Sequence, residues 1–344
     1  MCNELEHKQI IPYELYTENS HKSMNNRTIQ YPILLFLFIS ILFLTSCKTE
    51  KKSYPSLGEI DFSNKQVYQF LNVGDRVQMA YLDLGNIDDP VVLLLHGEPS
   101  SAFLYRNIAP QIAAQGFRVV VPDLIGFGFS DKPKNPDLIT YSNHTEWLTN
   151  FIDGMELKEI NLFAHDWGGM IGLRIVAQHP EKFKKVAVSY AYLFEGTEEI
   201  PESFIGFKNY AQNDPGFSAG NIVNWGSIKK IPDSIKAIYD RYYTSTTDYN
   251  TIRKFPSMIP TQLNDPEAIL NRELNKKLRS FKNPFITIWG NHEDLMWKGK
   301  DIILQESVLG AKNRTHYLLE SSHFIQEDQP EELRNILIRF FSFN

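Results

Sequence analysis

Four short stretches of this chain carry side chains whose types and order suit nucleophilic chemistry. In Ala164-His165-Asp166-Trp167-Gly168-Gly169, an aspartate sits where the apolar run Ile160–Ala164 meets a pair of glycines and a helix-like segment. A strand passing through a tight turn into a helix is the setting of a nucleophile elbow. There the strained turn lifts one side chain above the sheet, and small neighbours let the helix pack close. The usual pattern is Gly-x-nucleophile-x-Gly, and alanine takes the first small position here. Taken alone, Asp166 serves equally well as a helix N-cap, a role aspartate often fills. The other stretches weigh on that choice. Leu95-His96-Gly97-Glu98-Pro99 ends an earlier apolar run, and a loop there can aim the Glu98 backbone N–H at an oxyanion, with the N–H of Trp167 as its partner. Glu320-Ser321-Ser322-His323-Phe324 follows the last strand-like run, where a histidine ahead of the final helix can act as general base. Trp289-Gly290-Asn291-His292-Glu293-Asp294 follows the run before that and supplies an acid to orient the histidine and stabilise its cation. Spacing from Gly290 favours Glu293, whereas side-chain type favours Asp294, and both stand as candidates.

These residues need a frame. Strands are expected near Tyr68–Val73 and Val77–Leu84, meeting at the Gly74-Asp75 turn signal as an antiparallel hairpin. Continuous apolar runs follow at Val91–Leu95, Arg118–Val121, Ile160–Ala164, Val186–Ser189, Phe285–Trp289 and Thr315–Leu319, the pattern of strands buried on both faces by helices. Between and after them lie amphipathic segments, with Trp147, Leu148, Phe151, Ile152 and Met155 on one helical face and Leu333, Ile336, Leu337, Phe340 and Phe341 on another. Such alternation predicts a mostly parallel eight-stranded sheet with helices on both sides, and its chemistry belongs at the carboxyl ends of the strands. The rhythm breaks between Phe194 and Arg279, a tyrosine-rich, helix-like stretch that reads as a lid inserted after the sixth strand. The expected organisation is a core over 57–192 and 280–344 with a helical cap over 193–279.

The N-terminus reads as a targeting segment. Ile33 to Leu44 is an apolar run with one serine, of signal-peptide length, and Leu44-Thr45-Ser46-Cys47 follows it. That tetrad resembles the lipobox of bacterial lipoproteins, which implies lipidation of Cys47 as the first residue of the mature chain. An uncleaved signal anchor is the competing reading. Glu4, Glu6, Glu14 and Glu18 are out of place in a basic leader, so Met24, followed by Arg27, is the expected start. Residues 48–56 form a polar tether, and Lys48 after the cysteine favours the outer membrane by the same resemblance, which sets a periplasmic or outer-membrane location.

Composition excludes several classes. With a net charge of −6 and no long basic run, the chain is not built for nucleic acid. Two cysteines, Cys2 and Cys47, rule out a disulfide framework, and none of the nine histidines shows metal-ligand spacing.

Taken together the stretches resemble bacterial haloalkane dehalogenases of the α/β-hydrolase superfamily, over nearly all of the mature chain. The resemblance is carried by residues 96–106, by Pro122–Pro133, by His165-Asp166-Trp167-Gly168-Gly169, by Arg253-Lys254-Phe255-Pro256 and by His323-Phe324-Ile325-Gln326-Glu327. Glu98 is the most telling, since the related epoxide hydrolases usually carry an aromatic residue there. The resemblance implies a cofactor-independent reaction on a small apolar halogenated substrate and water. Asp166 displaces halide to form an alkyl ester, Trp167 helps hold the halide, and His323 activates the water that hydrolyses the ester. Matching Pro215-Gly216-Phe217-Ser218-Ala219 to the family's lid puts Gly220 where a second halide-binding tryptophan belongs, and Trp225, five residues on, is the alternative donor or else lid core. Two other functions compete. Epoxide hydrolysis would use the same triad with phenols from Tyr210, Tyr239, Tyr242, Tyr243 or Tyr249. A non-enzymatic surface lipoprotein would have no need of the acid and histidine.

Overall fold

The computed structural model describes residues 60–74 and 76–342. The expected signal segment, lipobox, tether and Asp75 lie outside the described residues. Among these, no helix is long and apolar enough to cross a membrane.

One eight-stranded sheet organises the chain, in the order β1-β2-β4-β3-β5-β6-β7-β8. β1 (Gln69–Asn72) and β2 (Gln78–Leu84) are the expected antiparallel hairpin, and β2 also runs antiparallel to β4 (Arg118–Pro122). β3 (Val91–Leu95), β5 (Ile160–His165), β6 (Phe183–Ser189), β7 (Phe285–Gly290) and β8 (Tyr317–Leu319) are parallel to their neighbours. The inner strands are buried on both faces, as their unbroken apolar runs require. β8 departs from that expectation. It is three residues long, it forms the sheet edge, and Leu318 is 66% exposed, because no further strand covers it.

Helices α1 (Ala109–Ala113), α2 (Tyr141–Gly154), α3 (Asp166–Gln178), α9 (Lys300–Ser307), α10 (Ile325–Asp328) and α11 (Pro330–Ser342) belong to the alternating part of the chain. Trp147, Leu148, Phe151 and Ile152 of α2 are buried, as are Leu333, Ile336, Leu337 and Phe341 of α11, so the helical periodicity identified the core faces.

Between β6 and β7 lie only helices: α4 (Glu202–Asn213), α5 (Ala219–Trp225), α6 (Asp233–Asp240), α7 (Thr246–Lys254) and α8 (Pro266–Arg279). The last of these packs on the elbow helix. The fully buried Arg174 of α3 donates to Asn271 Oδ1 at 2.8 Å and to Glu267 Oε2 at 2.7 Å, and its guanidinium lies 3.2 Å above the Tyr141 ring. An arginine with this planar fork satisfies two acceptors and a ring face at once, which lysine cannot do.

The register of the sheet sets the site. Leu95 of β3 pairs with Ala164 of β5, so the loop starting at His96 leaves the sheet beside the turn at His165-Asp166. Gly290 of β7 pairs with Leu319 of β8, which brings the Asn291–Asp294 loop alongside the Glu320–His323 loop. The buried Arg174 cluster predicts that Arg174→Leu, which strands Glu267 and Asn271, lowers unfolding free energy by about 3 kcal/mol. Urea denaturation measures this, and Arg174→Lys should recover only part of the loss.

Candidate active site

Asp166 opens α3 with a φ of 51°, in the left-handed region. For a residue with a Cβ this conformation costs about 1–3 kcal/mol, and it persists only where the surroundings enforce it. The surroundings here are crowded. A Cβ at Gly168 would lie 2.2 Å from the His96 carbonyl oxygen, and one at Gly97 would lie 2.4 Å from the Asp166 carboxylate. Glycine at both positions lets the β3 loop and the elbow touch. Asp166 is thus not an N-cap: the residue before α3 is His165, whose side chain makes no capping bond, and Asp166 itself has turned up out of the sheet.

The Asp166 carboxylate is buried and held by the backbone. Glu98 N–H donates to Oδ1 at 2.9 Å, and the backbone N–H of Trp167 also favours the charged form of this group. Burial raises the Asp166 pKa, partly offset by His323 and these two N–H groups. The Glu98 loop is itself fixed from below. His96 Nε2 accepts from Leu124 N–H at 2.9 Å, and Nδ1 lies 3.0 Å from the Gly97 carbonyl oxygen, so Nδ1 carries the proton. Burial lowers the His96 pKa to about 4, and the ring is a neutral strut.

His323 reaches the site from the β8–α10 loop. Its Nδ1 donates to Asp294 Oδ2 at 2.9 Å, and its Nε2 lies 3.6 Å from Asp166 Oδ2. Burial pulls its pKa down, but the hydrogen bond and charge of Asp294, with Asp166 adding to them, outweigh this and leave it raised. Of the two acids open in the sequence, Asp294 is the one beside the histidine. Glu293 instead points outward and pairs with Lys298 at 2.8 Å, because adjacent residues in this loop face opposite ways. Spacing from Gly290 misjudged the loop.

Several supports carried no recognisable sequence signal. Tyr190 accepts from Gly290 N–H and donates to the Ser322 carbonyl, both at 3.0 Å, and its ring lies against His323. His165 Nε2 lies 2.9 Å from the His323 carbonyl oxygen. Trp297 packs near the imidazole at 6.3 Å between ring centres.

The three groups open onto a cavity of about 420 Å³. Its walls are mainly apolar, with Phe204 and Phe207 of α4, Ile222 of α5, Pro256, Ile259 and Met296. Glu98, Trp167, Trp225 and Trp297 also line it. The Trp167 indole is wedged edge-on between Tyr141 and Phe255, and its Nε1 has no hydrogen-bond partner among the described residues. Gly220 cannot have held a tryptophan in this backbone, since a Cβ there would sit 2.4 Å from the Lys236 carbonyl oxygen. Trp225 does reach the cavity, but it is 60% exposed and edge-on to Tyr210, which places it at the rim. None of Tyr210, Tyr239, Tyr242, Tyr243 or Tyr249 lines the cavity. Tyr239, for example, spends its hydroxyl on Glu327.

Residues 90–222 match the family described as alpha/beta hydrolase fold. A haloalkane dehalogenase of Psychrobacter cryohalolentis is 34% identical over 298 residues, covering 86% of this chain and 98% of that one. One from Mycobacterium marinum is 36% identical over 262 residues, covering 76% and 88% respectively. Among solved structures, the tetrameric haloalkane dehalogenase DpaA from Paraglaciecola agarilytica superposes with a TM-score of 0.72 at 25% identity, covering 80% of this chain and 93% of that one. A carboxylate elbow with its histidine and acid, and relatives of this identity over nearly their full length, make the chain a member of the haloalkane dehalogenase family within the α/β-hydrolase superfamily.

Proposed function

We propose that the chain hydrolyses small apolar haloalkanes to alcohol and halide through an ester on Asp166. One observation carries the reading. Asp166 presents one oxygen to the Glu98 N–H and leaves the other, Oδ2, facing the cavity and His323. A carboxylate is a competent nucleophile at neutral pH without a base. Oδ2 attacks the halogen-bearing carbon in line, the carbon–halogen bond breaks with its electron pair leaving on the halide, and an alkyl ester remains. His323 Nε2 then removes a proton from water, which attacks Cγ of Asp166. Charge develops on Oδ1, opposite the N–H groups of Glu98 and Trp167. As this species collapses His323 returns the proton to the departing oxygen, so that the alcohol leaves and the new carboxylic acid ionises to the solvent. A serine at the elbow would favour ordinary ester hydrolysis instead.

The leaving halide needs donors in a dry pocket. Trp167 Nε1 is one. With Gly220 unable to supply a second and Trp225 at the rim, the second is the carboxyl of Glu98. Its Oε1 is buried without a partner, and burial, reinforced by the charge of Asp166, pushes its pKa well above the usual carboxylate range. A neutral carboxyl has an O–H to donate. The epoxide reading lacks the phenols it requires, since no tyrosine among the described residues lines the cavity.

A lipid on Cys47, and with it an outer-membrane or periplasmic location, rests on the Leu44–Cys47 tetrad alone. Cys47→Ser should move the protein from the membrane to the soluble fraction, and continued membrane attachment would count against the anchor.

Three experiments address the chemistry. Asp166→Asn should lower halide release from 1,2-dibromoethane or 1-iodobutane on the order of 10³-fold or more; activity kept in full would remove the nucleophile, and diol from styrene oxide without halide release from either haloalkane would replace the whole reading. In a single turnover in ¹⁸O-water, the label should enter Asp166 and the first alcohol should be unlabelled. Glu98→Gln, which keeps a donor, should bind bromide like the parent, whereas Glu98→Met should bind it roughly 10- to 100-fold more weakly by fluorescence titration.

A pH dependence follows from the shifts. The Asp166 charge contributes to the raised His323 pKa, and alkylation removes that charge. His323 therefore loses its proton more easily in the ester than in the resting enzyme. The acid limb of ester hydrolysis should fall at lower pH than the His323 titration followed by NMR in the resting protein.

A further inference from the structure

The loop that carries His323 is tied from behind to the cap. Asp328, the last residue of α10, is fully buried and has no ion-pair partner among the described residues. Its carboxylate is satisfied by backbone N–H groups from two places. Oδ2 accepts from Ser322, the neighbour of His323, at 3.0 Å. Oδ1 accepts from Ile228 at 3.0 Å and from Lys229 at 2.9 Å, both in the turn between α5 and α6 of the cap, and Oδ2 shares the Ile228 N–H at 3.1 Å. Beside it, Phe324 N–H donates to the Gly226 carbonyl at 2.9 Å, and a Cβ at Gly226 would lie 2.7 Å from the Phe324 ring. The wall residues Trp225 and Gly226 thus sit at one end of this tie and the general base at the other.

We infer that Asp328 is a positioning residue that fixes the cavity wall at Trp225-Gly226 and the imidazole of His323 from a single point, so that cap and base keep one relative setting. The inference rests on the dehalogenase reading above. Its physical basis is that a carboxylate only accepts, and can therefore receive N–H groups from opposite sides. An amide has one accepting oxygen and one donating nitrogen. In Asp328→Asn the oxygen can keep Ser322 and the longer Ile228 bond from the Oδ2 position, with the NH₂ facing the Lys229 N–H, or both cap bonds from the Oδ1 position, with the NH₂ facing the Ser322 N–H. The substitution has the same shape, and in either orientation it loses one N–H and sets two donors face to face, which weakens the tie rather than opening a hole.

The two half-reactions separate a positioning role from a structural one. Ester formation does not use His323, and ester hydrolysis does. With Asp328→Asn, hydrolysis should slow about 10-fold or more while ester formation is nearly unchanged. The alkyl adduct on Asp166 would then accumulate and appear as a mass increment in the intact protein. KM for longer haloalkanes should shift more than for short ones, as the Trp225 wall is released. Asp83→Asn, which weakens the Arg118–Asp83 pair between β2 and β4, serves as the control, with stability lowered and no adduct. Gly226→Ala attacks the same tie from the cap with Asp328 intact, and keeps the test alive if Asp328→Asn fails to fold; it too should accumulate adduct. Amide hydrogen exchange reads the tie without substrate, and in either variant should rise in residues 318–324, in 226–231, or in both. A parent enzyme that releases no halide would overturn the dehalogenase reading, leaving exchange to decide the coupling. Turnover in the parent with no adduct in either variant, an equal adduct in the control, or unchanged exchange would overturn the coupling itself.

Discussion

The hydrogen bond from the Glu98 N–H to Asp166 Oδ1 is the constraint around which this protein is arranged. It joins the ends of two neighbouring parallel strands, and it exists only because β3 and β5 are paired with Leu95 opposite Ala164. A shift of one residue would turn every side chain of one strand to the other face and carry the loop away from the elbow. The tight contacts at Gly97 and Gly168 follow from the same closeness, as does the left-handed backbone of Asp166. Holding a carboxylate in that conformation costs free energy, which the buried strands on either side supply.

The second half of the site is built differently. Asp294 and His323 stand on loops beyond a short edge pair, β7 and β8, where the sheet offers less support. Rings and buried hydrogen bonds compensate. Tyr190 spans from Gly290 to Ser322, His165 contacts the His323 carbonyl oxygen, and Asp328 gathers the loop from the rear. Asp166 is thus placed by strand register and His323 by side-chain packing.

This division explains what could be read in advance. Asp166, Glu98, Trp167 and His323 were legible because each lies within a few residues of a strand end, where order along the chain already fixes position. The inner strands were legible for the same reason that they are buried, since unbroken apolar runs have few other uses. The choice between Glu293 and Asp294 was not legible. It depends on which way two adjacent side chains of a loop turn, and Lys298, the partner that draws Glu293 outward, sits in the same loop with nothing in the pattern to mark it. Tyr190 and Asp328 were equally invisible, because their partners are backbone atoms, which leave no trace in residue type, and all but the Ser322 N–H of Asp328 lie far off in sequence. The rim position of Trp225 depends on how the short cap helices pack, and cap tyrosines that looked available for chemistry are spent on packing or turned away from the cavity.

The charge in the cavity has a consequence for the order in which products leave. In the proposed mechanism Asp166 is ionised before it attacks, and a free halide beside Trp167 then meets like charge. Once the ester forms, that charge is gone and the halide can rest beside the indole N–H. Hydrolysis of the ester restores the carboxylate, and the pocket then holds an anion less well than it did in the ester. On that reading the same group that takes the alkyl chain also loosens the hold on the halide once the ester is cleaved.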